Sequence, residues 1–506
     1  MNASTPVVPL VIRGEMITDD LQEFGARSES GVFLSPDVSR RTAQLPLADP
    51  TALGDVHSLP VSEIVDYLVE LGGLLDCGSN EHLALARELS YAAAPTTQPI
   101  VDEQYRLMPV LFARTALDDM IDVGIGRAYL DGWVSTVLAD GRTLSVRAFG
   151  SRCVHITAGN SPMLSALSVI RNALTRGDAI IKSPSNDPLT ATAIAITMCE
   201  MAPDHPITRH LSAAYWRGGD ERIEQVLYQP THLDKVVAWG GFASIKHLTR
   251  YLQPGLELVS FDPKRSASVI GAAAFADEAA FGEAARRLAV DIGHLNQAAC
   301  ANARTVFVEC GSDDRGLERL GEFGERVYQE LIALPEYIST RPKRGIAPAL
   351  RAALAAARFD EDWYTVIGGR HDEGAIIVSR LPEPVDFATA LDDRVANLVP
   401  VDMVSEATRR FDSYTQTVGV YPEDLKEQLR DVAGLCGAQR IVSLGYSCVP
   451  TFAGPQDALE PLHRLSRWVT DEQLTPASHP LGTLFLDGTR RVAAKRSDTE
   501  EGGQDP

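Results

Sequence analysis

A parallel, alternating α/β fold is what this chain predicts, and three observations predict it. Between residues 150 and about 270, the short β-branched runs RCVHIT, DAIIK, DKVVAW and SASVI alternate with amphipathic stretches of helical length. That alternation is the signature of a parallel sheet with helices on both faces. The length, 506 residues, is enough for two or three domains, and 45 % hydrophobic with 23 % charged residues is an ordinary globular composition. Finally, breaks rich in Gly, Ser, Asn and Pro follow the strands, where such sheets bind ligands: AGNSP (158–162), SPSNDP (183–188) and Gly240-Gly241.

Taken in order, residues 35–60 contain prolines and little periodicity, and read as a connecting segment. Residues 62–76, SEIVDYLVELGGLLD, place Ile64, Val65, Leu68, Leu71 and Leu75 on one face of a helix. WVSTVLADGRTLSVRA (133–148) predicts a hairpin turning at Asp140-Gly141, a possible oligomerisation element. A second α/β region runs from residue 263 past 430. The stretch 437–494 holds the apolar run RIVSLGYSCV and a helix candidate, PLHRLSRWV. The expected division is therefore 1–262 (N-terminal segment and cofactor domain), 263–436 (thiol domain), 437–494 (a segment returning to the cofactor domain) and 495–506 (a polar tail).

Composition excludes several classes of function. A formal net charge of −21 disfavours nucleic acid or anionic membrane as partner. No apolar run reaches the roughly 18 residues of a membrane helix, and no signal peptide is expected at the N-terminus. The seven cysteines (77, 153, 199, 300, 310, 436 and 448) are scattered with no CxxC pair. Neither a metal site nor a disulfide framework is expected, and a reducing cytoplasm is the expected location.

The usual GxGxxG dinucleotide fingerprint is missing. Gly124-Ile125-Gly126 lacks a third glycine and precedes the hairpin rather than a helix. A different dinucleotide site is conceivable. Lys182 ends the strand DAIIK, from which it can reach a ribose or phosphate; alternatively it is a solvated strand-end lysine. Gly240 and Gly241 break strand from helix, so their backbone can approach a pyrophosphate, though glycines also simply form turns. In HLNQAACANARTVFVE (294–309), Cys300 sits between a helix and a strand among alanines that leave its sulfur approachable. A thiolate there can hold an acyl group as a thioester; the alternative is a buried structural thiol. Asn160 follows RCVHIT and opens a helix, so its amide is either an oxyanion donor, together with the Cys300 N–H, or a helix cap. His294, six residues before Cys300, reads as a core or surface histidine.

The set AGNSP (158–162), IIKSPS (180–185), AWGG (238–241) and NQAAC…R (296–304), in this order, resembles the aldehyde dehydrogenase superfamily. Within it HITAGNSP, FDPKRS, NQAAC and PLHRLSRWV are most similar to the LuxC-type acyl-CoA reductases, the fatty-acid reductases of bacterial luminescence systems. The resemblance covers roughly residues 130–470. It implies an aldehyde dehydrogenase-like fold with a parallel-sheet cofactor domain, an α/β catalytic domain and a small oligomerisation element. It further implies Cys300 as nucleophile, Asn160 as oxyanion donor, Lys182 at the adenosine ribose and Gly240–Gly241 at the pyrophosphate.

Three departures from the superfamily pattern stand out. Two alanines, rather than one residue, separate Gln297 from Cys300. The general-base glutamate falls either at Ser260 or Phe261, and is lost, or at Glu257, and is kept without its glycines. The motif that grips the nicotinamide ribose is not recognisable in ANLVPVDMV (396–404). Loss of the base suits a reductase, which must not hydrolyse its acyl-enzyme, whereas a retained Glu257 could take the thiol proton. The expected reaction is reduction of an acyl thioester, on CoA or acyl carrier protein, to an aldehyde through S-acyl-Cys300. A hydrolytic aldehyde dehydrogenase and a non-catalytic acyl-carrier partner are the alternatives. In the superfamily the residue three after the strand-end lysine faces the ribose 2′ position. Here it is Ser185, neutral and able to donate a hydrogen bond, so NADPH (NADP) is the expected cofactor. A homo-oligomer, and a partner enzyme that transfers the acyl group, complete the expectation.

Overall fold

A computed structural model describes residues 5–25, 31–138, 142–449 and 451–473. The Asp140-Gly141 turn, the end of the C-terminal segment and the tail 495–506 lie outside the described residues. The expected strands form, and they build two seven-stranded sheets. In the first the order is Glu257–Phe261, Lys235–Trp239, Arg152–Ile156, Asp178–Lys182, Leu211–Ala214, Leu10–Ile12, Glu15–Ile17. Its first five strands are parallel, and the last two add antiparallel at one edge. Those N-terminal strands have three residues each, too short to show a period in sequence.

DAIIK is buried at every position, which is why it reads as a continuous apolar run and not an alternation. Its alternate residues serve two cores. Ala179 and Ile181 pack with helices Val61–Leu74, Met163–Thr175 and Thr190–Met201, while Ile180 packs with helices Glu221–Leu227 and Phe242–Leu248. The helix expected over 62–76 is the first of these, with Ile64, Leu68, Leu71 and Leu75 fully buried.

Three residues, 262–264, carry the chain from the last strand of the first sheet to Arg265–Ile270 in the second. The second sheet runs Tyr364–Gly368, Ala375–Ser379, Val395–Val401, Ala303–Glu309, Arg265–Ile270, Thr415–Tyr421, Arg440–Ser443. All of its pairings are parallel except that of Tyr364–Gly368. Arg440–Ser443, from RIVSLGYSCV, pairs with Thr415–Tyr421. The chain therefore leaves the second sheet only after this strand, later than residue 437.

PLHRLSRWV is corrected by the structure. Only Pro461–Leu465 is helical, and Ser466–Gln473 is a strand that pairs along its whole length with Thr143–Gly150. The hairpin strand Thr143–Gly150 has one side taken by Val134–Val137, and its other edge is satisfied by this returning segment. Trp468 fixes the join, stacked on His463 at 4.6 Å and edge-on to Tyr129 at 5.3 Å. Among the described residues no helix is long and apolar enough to cross a membrane.

Candidate active site

Register places Ile156, Lys182, Ala214, Ala238 and Ser260 side by side at the carboxyl edge of the first sheet, with Phe261 one residue beyond, paired with Trp239. The loops that follow face the amino ends of strands in the second sheet across a cavity of about 1620 Å³. A single-ligand cleft is roughly 300–1,000 Å³, so this one has room for two ligands. Asn160, Lys182, Ser185, Gly240, Gly241 and Cys300 all line it.

Cys300 lies in a turn between helix Glu278–Gly293 and strand Ala303–Glu309, and is exposed to the cavity. Before it, Leu295, Asn296 and Gln297 adopt left-handed backbone with φ of 53°, 55° and 65°. Such conformations cost about 1–3 kcal/mol each and persist only where the surroundings enforce them. Here they are enforced. The Asn296 carboxamide oxygen accepts from Thr340 N at 2.7 Å, and the Gln297 carboxamide bonds the Val395 N–H at 2.9 Å and its carbonyl at 3.0 Å. Asn302 accepts from Ala299 N at 3.0 Å and donates to His294 O at 3.0 Å. The Arg304 guanidinium donates to the carbonyls of Gln297, Ala299, Asn302 and Leu391 at 2.9–3.2 Å.

Burial pushes the Cys300 thiol above its ordinary pKa, and the Asp457 carboxylate adds to the shift. A hydrogen bond from Gln416 Nε2 to Sγ, 3.1 Å long, and the nearby Arg304 act the other way. Asn160 Nδ2 donates to Ala298 O at 3.3 Å, which brings its amide to the Cys300 turn. The loop that carries it is pinned where Asn186 Nδ2 donates to Gly159 O at 2.9 Å. A Cβ on residue 159 would lie 1.8 Å from Asn186 Oδ1, so any side chain there would displace the Asn186 amide that makes this bond.

At the other end Lys182 Nζ sits 5.9 Å from the Tyr215 ring centroid. Ser185 follows, and Arg217, three residues past the partner of Lys182 in the strand register, also lines the cavity. The Arg217 side chain makes no hydrogen bond or ion pair among the described residues, although its carbonyl accepts from Asp220 N at 3.1 Å. The Glu224 carboxylate borders this end and is satisfied by Gly219 N at 2.9 Å, His247 at 2.6 Å and Tyr251 at 3.1 Å. At Gly241 a Cβ would meet nothing within 4 Å, so its backbone is open to a ligand.

Glu257 is not in the cavity. It begins its strand, ion-paired with Lys235 at 2.5 Å and with Arg464. The opposite end of that strand meets the cavity through Phe261, stacked on Trp239 at 3.8 Å. Of the two alignments, the one that keeps the glutamate puts it outside the cavity, and the one anchored on the strand puts Phe261, which has no carboxylate, at its wall. None of residues 396–404 lines the cavity. His294 does border it, with its pKa lowered by burial. Gln416, Asp457 and Arg217 went unnoticed in the sequence. Gln416 had left one signal, a polar side chain in the apolar strand TQTVGVY, and Arg217 another, an RGG break after LSAAYW.

Two parallel sheets with a thiol-bearing turn between them define an aldehyde dehydrogenase fold. The structure matches lactaldehyde dehydrogenase from Escherichia coli with a TM-score of 0.68 at 16 % identity, covering 93 % of this chain and 100 % of that one. It matches aldehyde dehydrogenase 21 from Physcomitrella patens with a TM-score of 0.71 at 12 % identity, covering 94 % and 100 %. The family model described as acyl-CoA reductase (LuxC) matches residues 56–468, and the chain belongs to that family. It is similar to the long-chain acyl-protein thioester reductase of Vibrio harveyi, 26 % identical over 472 residues, which are 92 % of this chain and 93 % of the relative.

Proposed function

We propose that this protein reduces a long-chain acyl thioester, carried on CoA or on a protein, to the aldehyde at the expense of NADPH. The observation that carries the reading is one cavity holding Cys300 and Asn160 at one end and the Lys182, Ser185 and Arg217 group at the other. The donor set fits a dinucleotide: a lysine, a hydroxyl, an arginine whose side chain has no partner among the described residues, and an open glycine backbone. Lys182 and Ser185 would hold the adenosine ribose, Arg217 its 2′-phosphate, and Gly240–Gly241 the pyrophosphate. When bound, the reduced nicotinamide supplies a hydride.

The chain's own residues do the rest. The Cys300 thiolate attacks the acyl carbonyl, and Asn160 with the Cys300 N–H holds the oxyanion. The carbon–sulfur bond to the carrier breaks, the carrier thiolate takes up the proton lost by Cys300, and S-acyl-Cys300 remains. After reduction the same donors hold the thiohemiacetal oxygen, whose collapse frees the aldehyde and returns the thiolate. Leu107, Val110, Leu111, Met163, Leu164 and Phe452 give the cavity an apolar lining suited to a fatty chain. With Glu257 outside, the superfamily's route to hydrolysis of the acyl-enzyme is missing. The sheet formed by Val134–Val137, Thr143–Gly150 and Ser466–Gln473 leaves Val137 72 % exposed, and we assign it to oligomer contacts.

Incubation with acyl-CoAs of graded length and NADPH, with aldehyde trapping, tests the reading. Aldehyde formed in step with NADPH consumed is the expected result. Acid formed from added aldehyde and NADP, with no thioester reduction, would establish the hydrolytic alternative.

A further inference from the structure

Asp457 stands in a tight two-residue turn. Gln456 and Leu459 exchange both backbone hydrogen bonds, 2.7 and 2.9 Å, around Asp457 and Ala458, whose φ angles are 52° and 60°. Turns with two positive φ values favour Gly and Asn, and this one contains no glycine. It is held from outside: Arg171 donates to Gln456 Oε1 at 2.7 Å. A strained turn with an external clamp, opening onto a cavity, asks what its side chain does there.

The Asp457 carboxylate accepts a hydrogen bond from Gln416 Nε2, the same nitrogen that donates to Cys300 Sγ. A primary amide nitrogen has two N–H donors, and an ionised carboxylate only accepts. While Asp457 takes one N–H, the amide cannot turn over to present its oxygen. The second N–H must therefore face the sulfur. That is the orientation which favours a thiolate; with the oxygen facing it, the sulfur would keep its proton as a donor.

We infer that Asp457 is a positioning residue for the nucleophile, acting through Gln416 to keep an amide N–H on the sulfur of Cys300. It is a different carboxylate from Glu257, which lies outside the cavity, and is supplied by a turn some 200 residues later in the chain. The charge on Asp457 also opposes the thiolate directly, and Lys264, Asp262 and Arg171 face it as well. Its effect on Cys300 is consequently the difference between an orienting term, which needs Gln416, and a repulsive term, which does not.

That difference is measurable, and it rests on Cys300 being the nucleophile without depending on which acyl donor is used. The rate of Cys300 alkylation by iodoacetamide at neutral pH, read by mass spectrometry of its peptide, is compared for wild type, Asp457→Asn, Gln416→Ala and the double variant. Asn tolerates the left-handed backbone at 457, so the turn survives. The expected result is alkylation about threefold or more slower in Asp457→Asn, whereas in the Gln416→Ala background the same change leaves the rate unchanged or faster. An equal effect of Asp457→Asn in both backgrounds, slower or faster, overturns the inference. Alkylation needs neither cofactor nor thioester. Coupling of this kind without thioester reduction would leave the positioning role standing and the proposed function in error.

Discussion

Around Cys300, the side chains of Gln297, Asn302 and Arg304 bond the backbone of the 296–304 turn and of Val395. Ser185 and Arg217 also line this cavity, and neither side chain makes a hydrogen bond or ion pair among the described residues. The contrast matches the roles proposed for the two ends. An attacking sulfur must be held near a productive geometry, because a misplacement of about 1 Å can cost a hundredfold in rate. A site for a cofactor that enters and leaves needs space and donors that the ligand can reach.

The largest expected effect lies at the rigid end. Cys300→Ala should abolish both labelling by radioactive acyl-CoA and aldehyde formation with the fold intact; a tenth of the wild-type rate remaining would exclude Cys300 as nucleophile. Next, Asn160→Ala should cost roughly 2.7–4 kcal/mol of transition-state stabilisation, read as a fall in kcat of about 10²–10³-fold. Unchanged turnover would reduce Asn160 to a tether between its loop and Ala298.

Arg304→Met tests the rigidity itself. Four carbonyls lose a charged donor, so the protein should lose about 2–4 kcal/mol in urea unfolding, and Cys300 alkylation should slow. If stability falls and alkylation does not change, the turn is not held by this side chain. The smallest effect belongs to the open end. Arg217→Ala should weaken NADPH binding about tenfold and barely alter NADH, the loss of one charge-assisted contact. Ser185→Glu should reverse the preference between the two cofactors. Tighter NADH binding by the wild type would misplace the ribose pocket.

The pH dependence of acyl transfer bears on the same contrast. Because burial raises the Cys300 pKa, thiolate is scarce at neutral pH and becomes available as pH rises through that raised value. Acyl transfer should therefore still be accelerating above pH 8, as stopped-flow acylation would show. A rate already flat at pH 7 would mean that Gln416 and Arg304 outweigh burial and Asp457.

What the sequence determined by itself was local. β-branched runs set the parallel strands, and the breaks after them, with the alanine-flanked cysteine, set where Asn160, Lys182, Ser185, Gly240, Gly241 and Cys300 stand in those elements. Each feature is written within a few neighbouring residues, since strand ends and turns depend on short-range backbone chemistry. Tertiary structure decided the rest. Whether Glu257 could reach the thiol depended on which end of its strand faces the second sheet, and a strand of five residues separates those ends by about 13 Å. PLHRLSRWV reads as one helix, but only Pro461–Leu465 is helical, and the strand that follows exists because Thr143–Gly150 offers an edge more than 300 residues earlier in the chain. Gln416 and Asp457 meet Cys300 only because the second sheet and a distant turn close over one cavity. No local pattern records such a meeting, because hydrogen bonds between distant segments form only once the chain has folded.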